Sequence, residues 1–149
     1  MKGTVFTDNI GKQLKPGDWF LIEQSRINQF ADVTEDHQYI HIDQQRAAES
    51  YLGSTIAHVF LILSLLPKLI EKSLITPDNI VMGINYGFDK VRFLNPVRPG
   101  DKVRVTGEVV DIQDKGDGRY LQKVAVTVEI KGQEKPAIFC EWLNMFVVG

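Results

Sequence analysis

The stretch "IAHVFLILSLLPKLI", residues 56–70, decides how the rest of the chain is read. Its apolar residues surround most of a helix circumference, so one long helix from Thr55 to Lys72 is expected. A helix of that kind belongs inside something, not on a surface. Pro67 removes a hydrogen bond from any helix that contains it, and a kink or break is expected there. With a histidine, a proline and a lysine inside it, the stretch is also short for a membrane span.

Downstream of it the chain changes period. After "TPDN" come "IVMGINYGFDKVRFLNPV", "DKVRVTGEVVDIQD", "RYLQKVAVTVEIKG" and "KPAIFCEWLNMFVV", separated by the turn signals "RPGD", "DKGDG" and "KGQEKP". In "DKVRVTGEV" and "QKVAVTVEI" apolar and polar residues alternate, the mark of a sheet that is wet on one face. A buried helix followed by four long strands with short links predicts an α+β chain. Its antiparallel sheet would wrap a long central helix, which is the hot-dog fold. Such a sheet leaves an open edge, so a homodimer is expected.

Upstream, "DWFLIEQ" reads as a short strand after "KPGD". "SRINQFADVTED" sets Ile27, Phe30 and Ala31 at helical spacing, with Ser25 available as N-cap. "DQQRAAESYLG" reads as a short helix capped by Asp43 and ended near Gly53. The 149 residues show no repeat or linker and fit a single domain, 1–149.

A formal net charge of −2 offers no basic surface for nucleic acid or for an anionic membrane. The opening "MKGTVFTDNIGKQLKPGD" has neither the basic start nor the apolar run of a secretory signal, and a cytoplasmic protein is expected. The one cysteine, Cys140, lies in "AIFCEWLNMFVV" and reads as a small buried hydrophobe. Neither a G-x-x-x-x-G-K-[ST] nor a G-x-G-x-x-G phosphate loop is present, which argues against nucleotide-driven chemistry.

The most polar segment is "TEDHQYIHID", residues 34–43. Asp36 and His41 are five apart, on different faces of an ideal helix and opposite sides of a strand. They converge only if the backbone between them is irregular, a shaped loop or a single helical turn. His37 and His41, at i and i+4, share a helix face and raise a metal reading. It is weak, because Gln38 stands where a zinc hydrolase needs its glutamate. Spacing alone favours a solvated connection, with Thr34 and Asp43 capping and Asp36 exposed. The apolar Tyr39, Ile40 and Ile42 argue instead for a segment pinned to a core. There a histidine and an aspartate can share a water and move its proton near neutral pH.

The ordered motifs "FADVTEDHQYIHIDQQRA", "GSTIAHVFLILSLLP" and "INYGFDKVRFLNPVRPGDKVRV" resemble the MaoC-like hydratases. These include the (R)-specific enoyl-CoA hydratases and a branch related to nodulation protein N. The resemblance covers roughly half of the chain. It implies a hot-dog homodimer that adds water to trans-2-enoyl thioesters, giving (R)-3-hydroxyacyl thioesters without a metal or other cofactor. The substrate would be carried by coenzyme A or acyl carrier protein. The family's aspartate and histidine fall on Asp36 and His41, which would hold the catalytic water, Asp36 as base and His41 as orienter and proton carrier. The family's A-H-G, whose glycine N–H meets the thioester carbonyl, is here "AHV". Val59 keeps the N–H and adds a β-branched side chain.

The same fold also hosts acyl thioesterases, carrier-protein dehydratases and non-catalytic acyl-CoA-binding proteins, and these stand as alternatives. His58, on the expected central helix, reads as a core histidine bonded to backbone. Asn85 is a candidate for a polar group of the substrate or for bonding between strands. Arg92 and Arg98 are candidates for coenzyme A phosphates, or members of a solvated sheet face.

Overall fold

A computed structural model describes residues 6–149; the opening MKGTV lies outside the described residues. After a 3-10 turn at Thr7–Asn9, the chain forms β1 (Phe20–Leu21), α1 (Gln24–Thr34), α2 (Tyr39–Ile42) and α3 (Gln44–Ala48). Next come α4 (Val59–Ser64) and α5 (Leu66–Ile70), then the long strands β2 (Ile80–Phe93), β3 (Lys102–Gly116), β4 (Arg119–Ile130) and β5 (Ile138–Val148). The five strands make one sheet in the order β1-β3-β4-β5-β2, with neighbouring strands antiparallel. This is the hot-dog arrangement, an α+β fold with the sheet curled over α4 and α5.

The alternation expected of the strands sets which face is buried. In β4, Tyr120, Gln122, Val124, Val126, Val128 and Ile130 point into the core while the residues between them stay half-exposed. Leu61, Ile62, Leu66, Leu69 and Ile70 of α4 and α5 join the same core cluster. Each such buried aliphatic contributes about 1.5–3 kcal/mol. Gly17 lets the segment before β1 close over this pair of helices. A Cβ there would sit 2.6 Å from the Leu69 carbonyl oxygen.

The central helix is not the single element expected. Residues 55–58 are extended, held by hydrogen bonds from Ile56 N–H to Ile40 O (2.8 Å) and from Ala57 N–H to Val97 O (2.7 Å). Two short helices follow, parted at Leu65. Pro67 stands in the first turn of α5, where a missing N–H costs nothing. The expected break therefore occurs, two residues before the proline. A second correction concerns α1: it begins at Gln24 with Glu23 as N-cap and no side-chain cap bond, so Ser25 lies inside the helix. Asp43 does cap α3, its carboxylate accepting from Arg46 N–H at 3.0 Å.

β2 stands apart from the other long strands. It pairs with β5 alone, and none of its residues is fully buried. Ile80, Val81, Met82, Ile84, Tyr86, Phe88 and Phe93 are all exposed. Between β2 and the helices runs an open groove. One part, about 430 Å³, lies among Leu63, Ser64, Pro67, Asn85, Phe88 and Trp142. The next, about 300 Å³, shares Pro67, Asn85 and Trp142 and continues to Ile70, Gly83, Asn144 and Phe146. No helix among the described residues is long and apolar enough to cross a membrane.

Candidate active site

The polar decapeptide folds irregularly, as its spacing required. α1 ends at Glu35 in a left-handed conformation (φ 61°), Asp36 to Gln38 have no regular structure, and α2 is a single turn. That path carries Asp36 and His41 to one place. His58, arriving at the end of the extended segment 55–58, completes the group. A carboxylate oxygen of Asp36 and a ring nitrogen from each histidine all lie within 4.8 Å of one another.

The histidines' protons can be assigned from their partners. The His41 Nδ1–H donates to the Ile56 carbonyl at 2.8 Å, and a carbonyl can only accept. Nε2 of His41 is therefore the atom left for chemistry. The His58 Nε2–H donates to the Asp36 carbonyl at 3.0 Å, leaving Nδ1 buried with no hydrogen-bond partner. Burial pushes the His58 pKa below its ordinary value, against the bond to the Asp36 backbone, which favours the charged form. His58 is thus a neutral ring, stacked on His41 with centroids 3.8 Å apart and flanked by Phe30 at 4.9 Å.

Exposure separates the roles. His41 and His58 are buried, whereas the Asp36 side chain is 48% exposed. Its Oδ2 lies 3.9 Å from His58 Nε2, and its Oδ1 accepts weakly from Gln38 N–H at 3.4 Å. A water oxygen about 2.8 Å from each of two groups bridges atoms up to 4.8 Å apart at an ordinary angle. The Asp36 carboxylate and a ring nitrogen of His41 lie within that reach of each other. A metal fits the trio poorly. A bound ion lies in the plane of each imidazole, and two planes only 22° from parallel and stacked face to face do not converge on it.

Gln24 fastens the turn in place. Its Nε2 donates to the His41 carbonyl (2.7 Å), while its Oε1 accepts from Thr55 Oγ1 (2.7 Å) and Gln44 Nε2 (2.9 Å). One side chain thereby ties α1, α2, α3 and the extended segment together. Neither Gln24 nor the place of His58 in the trio is legible from spacing, because their partners are 17 to 31 residues away. His37 points elsewhere, pairing with exposed Asp32 at 2.9 Å.

A family model for the MaoC-like domain matches residues 5–133. The chain belongs to the MaoC-like family. It is 43% identical over 137 residues to the 3-hydroxyacyl-thioester dehydratase Z of Mycobacterium tuberculosis, covering 92% of this chain and 90% of that protein. It is 40% identical to nodulation protein N of Rhizobium leguminosarum bv. viciae, covering 91% and 85%. Among solved structures it resembles the monoamine oxidase regulatory protein of Archaeoglobus fulgius, with a TM-score of 0.79 at 24% identity over 94% of this chain and 91% of that one. That last likeness is one of fold.

Within this MaoC-like frame the remaining candidates fall as follows. Val59 is the first residue of α4, so its N–H has no acceptor inside the helix. With only six residues in α4, the N–H itself matters more than a helix dipole. Asn85 lines the groove beside Asn144, its register partner on β5. Arg98 is half-buried, and its guanidinium donates to the Leu52 carbonyl and to Ser54 Oγ, both at 2.6 Å. Arg92 is exposed next to Phe93, whose ring meets Phe60 of α4.

Proposed function

We propose that the chain is a hydro-lyase that adds water to trans-2-enoyl thioesters, and removes it again, as an (R)-specific enoyl-CoA hydratase. The observation that carries this reading is the convergence of Asp36 and His41 with His58, the residue before Val59, whose N–H opens a helix and has no acceptor inside it. The family and the 3-hydroxyacyl-thioester dehydratase among its relatives support it. In the hydration direction a water lies between the Asp36 carboxylate and His41 Nε2. Its oxygen bonds to C3 as Asp36 takes its proton. The C2–C3 π electrons move toward the thioester carbonyl, whose oxygen is held by the Val59 N–H. Asp36 passes the water's proton to His41 Nε2, which delivers it to C2, so both groups end as they began and the reverse sequence dehydrates. Neutral His58 and the Ile56 carbonyl keep the His41 ring in register without competing for the proton.

Arg92, next to Phe93, and Arg98, bonded to Leu52 and Ser54, are the basic groups proposed for coenzyme A phosphates. A homodimer and a cytoplasmic setting complete the proposal. The open edge of β2, with its exposed apolar residues, is the surface for a second copy. The test is a panel of trans-2-enoyl-CoA chain lengths with the product's hand determined, alongside a measurement of free thiol. The reading expects (R)-3-hydroxyacyl-CoA, no thiol release, and loss of most turnover in Asp36→Ala. Near-normal hydration by a folded Asp36→Ala protein overturns the assignment.

A further inference from the structure

The core-facing row of β5 reads Ile138, Cys140, Trp142, Asn144, Phe146: one amide among hydrophobes. Directly across on β4, its register partner is Gln122, also core-facing and fully buried. Asn144 is 6% exposed and lines the groove between Trp142 and Phe146. Both amides are incompletely satisfied. Asn144 Nδ2 is a buried donor with no acceptor, and Gln122 Oε1 is a buried acceptor with no donor, although Gln122 Nε2 reaches the Ile75 carbonyl at 2.8 Å. A buried polar group left in this state costs about 1–3 kcal/mol. A core strand has no reason of its own to keep two such groups side by side.

Their demands are complementary. A hydroxyl group placed between them donates to Gln122 Oε1 and accepts from Asn144 Nδ2 at once. Asn85, on the other side of Asn144, extends the polar row to the groove's open flank. The groove follows α4 and α5 along β2, from Leu63, Ser64 and Phe88 to Ile70 and Gly83 beside Asn144. Val59 opens α4 and Ile70 ends α5, eleven positions later, so at 1.5 Å per residue they are at most roughly 16 Å apart. An extended chain advances about 1.2 Å per bond, so reaching the amides takes on the order of a dozen bonds.

We propose that the far end of this groove is a binding site for a hydroxyl carried on a long acyl chain, received by Asn144 Nδ2 and Gln122 Oε1. This rests on the hydro-lyase reading for its substrate class. The enzyme is then selective for enoyl thioesters whose chain bears a second oxygen function about a dozen bonds from the thioester, over plain alkyl chains of equal length.

The experiment compares a trans-2-enoyl-CoA of about that length with its hydroxylated counterpart, on the wild type and on Asn144→Leu. A second arm titrates the corresponding free hydroxy and plain fatty acids against the fluorescence of Trp142, with Trp142→Phe as control. A site built to bond a hydroxyl rejects the analogue without it, so a preference of about tenfold or more in kcat/KM is expected for the hydroxylated chain. Asn144→Leu removes or reverses that preference while plain chains still turn over. Equal turnover and equal binding of the two chains by the wild type overturn the proposal, including the case in which only a resident water bridges the amides. If neither thioester reacts yet the hydroxy acid binds tighter, the hydro-lyase reading fails and the binding site stands. The wild type's own preference decides the matter even where the Leu variant does not fold.

Discussion

Two polar regions of the chain, the cluster around Asp36 and His41 and the Gln122–Asn144 pair, are built on opposite principles. At the first, proposed as the reactive end, the backbone is irregular, and nearly every polar group is tied down. His41 is held by Ile56 and Gln24, and His58 by the Asp36 carbonyl, so the groups left for chemistry are the Asp36 carboxylate and His41 Nε2. At the far end the backbone is plain antiparallel sheet, and what is unusual is a pair of side chains whose amide atoms are unpaired. One end gains its function by bending the chain away from regular structure, the other by breaking the apolar alternation of regular strands. The first arrangement suits groups that must be aimed within a fraction of an ångström. The second suits a contact that only sorts ligands.

If that contrast is right, substitutions at the reactive end act on rate and those at the far end act on choice. The largest effect is expected from His41→Asn, whose amide keeps a donor near the Ile56 carbonyl but lacks Nε2. Hydration falls about a thousandfold, within the usual range for a general acid or base, with the far-ultraviolet circular dichroism unchanged. His37→Asn, on the solvent side, leaves the rate within a factor of two or so; a large loss there would dissolve the distinction drawn between the two histidines.

Gln24→Leu comes next. It removes the donor to the His41 carbonyl and the acceptor of Thr55, lowering stability in urea by about 1–3 kcal/mol. The turnover number falls about tenfold, while KM moves less. An unchanged rate would show that the α2 turn holds its shape without Gln24. Val59→Gly is smaller still: the backbone donor stays, the β-branched side chain goes, and turnover of the bulkier thioesters rises a few-fold. No gain on any chain length would show that Val59 does not narrow the approach to its own N–H.

The smallest effect concerns pH and leaves the chemistry aside. Because burial holds the His58 pKa below its ordinary value, the unfolded chain binds a proton that the fold resists. The stability tied to His58 is full above a pH of about 6.5, the unfolded value, and is lost as pH falls through the lower folded value. Urea midpoints measured across that window should decline with acid, and His58→Phe should flatten the decline. The exposed Asp18–Lys72 pair does not blur this, since the Asp18 pKa is lowered from a carboxylate value near 3.8 and titrates below the window.

How much of this was legible in the sequence follows the same division. The four long strands could be read because alternation is a local property. The all-round burial expected of the central helix, by contrast, holds for one face only: Leu61, Ile62, Leu66, Leu69 and Ile70 are buried while Phe60, Ser64, Pro67 and Lys68 are exposed. The Asp36–His41 pair could be read from its motif, and even the demand for an irregular backbone followed from the five-residue offset. The split of the central helix was only half visible. Pro67 announced a break, but the hydrogen bonds that keep Ile56 and Ala57 extended come from Ile40 and Val97. His58 passed as a core histidine bonded to backbone, and it is so bonded; that the backbone belongs to Asp36 is a fact of tertiary structure. Gln122 and Asn144 were invisible for the same reason. Each is one polar residue in a good strand, and only the register of β4 against β5 sets them side by side. Cys140 was plain from its surroundings, and burial indeed pushes its thiol pKa up to about 12.

The most direct test of the central claim uses labelled water. With a trans-2-enoyl-CoA in H₂¹⁸O, water held between Asp36 and His41 should place the label on the C3 hydroxyl of an intact thioester, and His41→Asn should suppress that incorporation. Label appearing in a free carboxylate, with thiol released, would contradict the claim and make the protein a hydrolase.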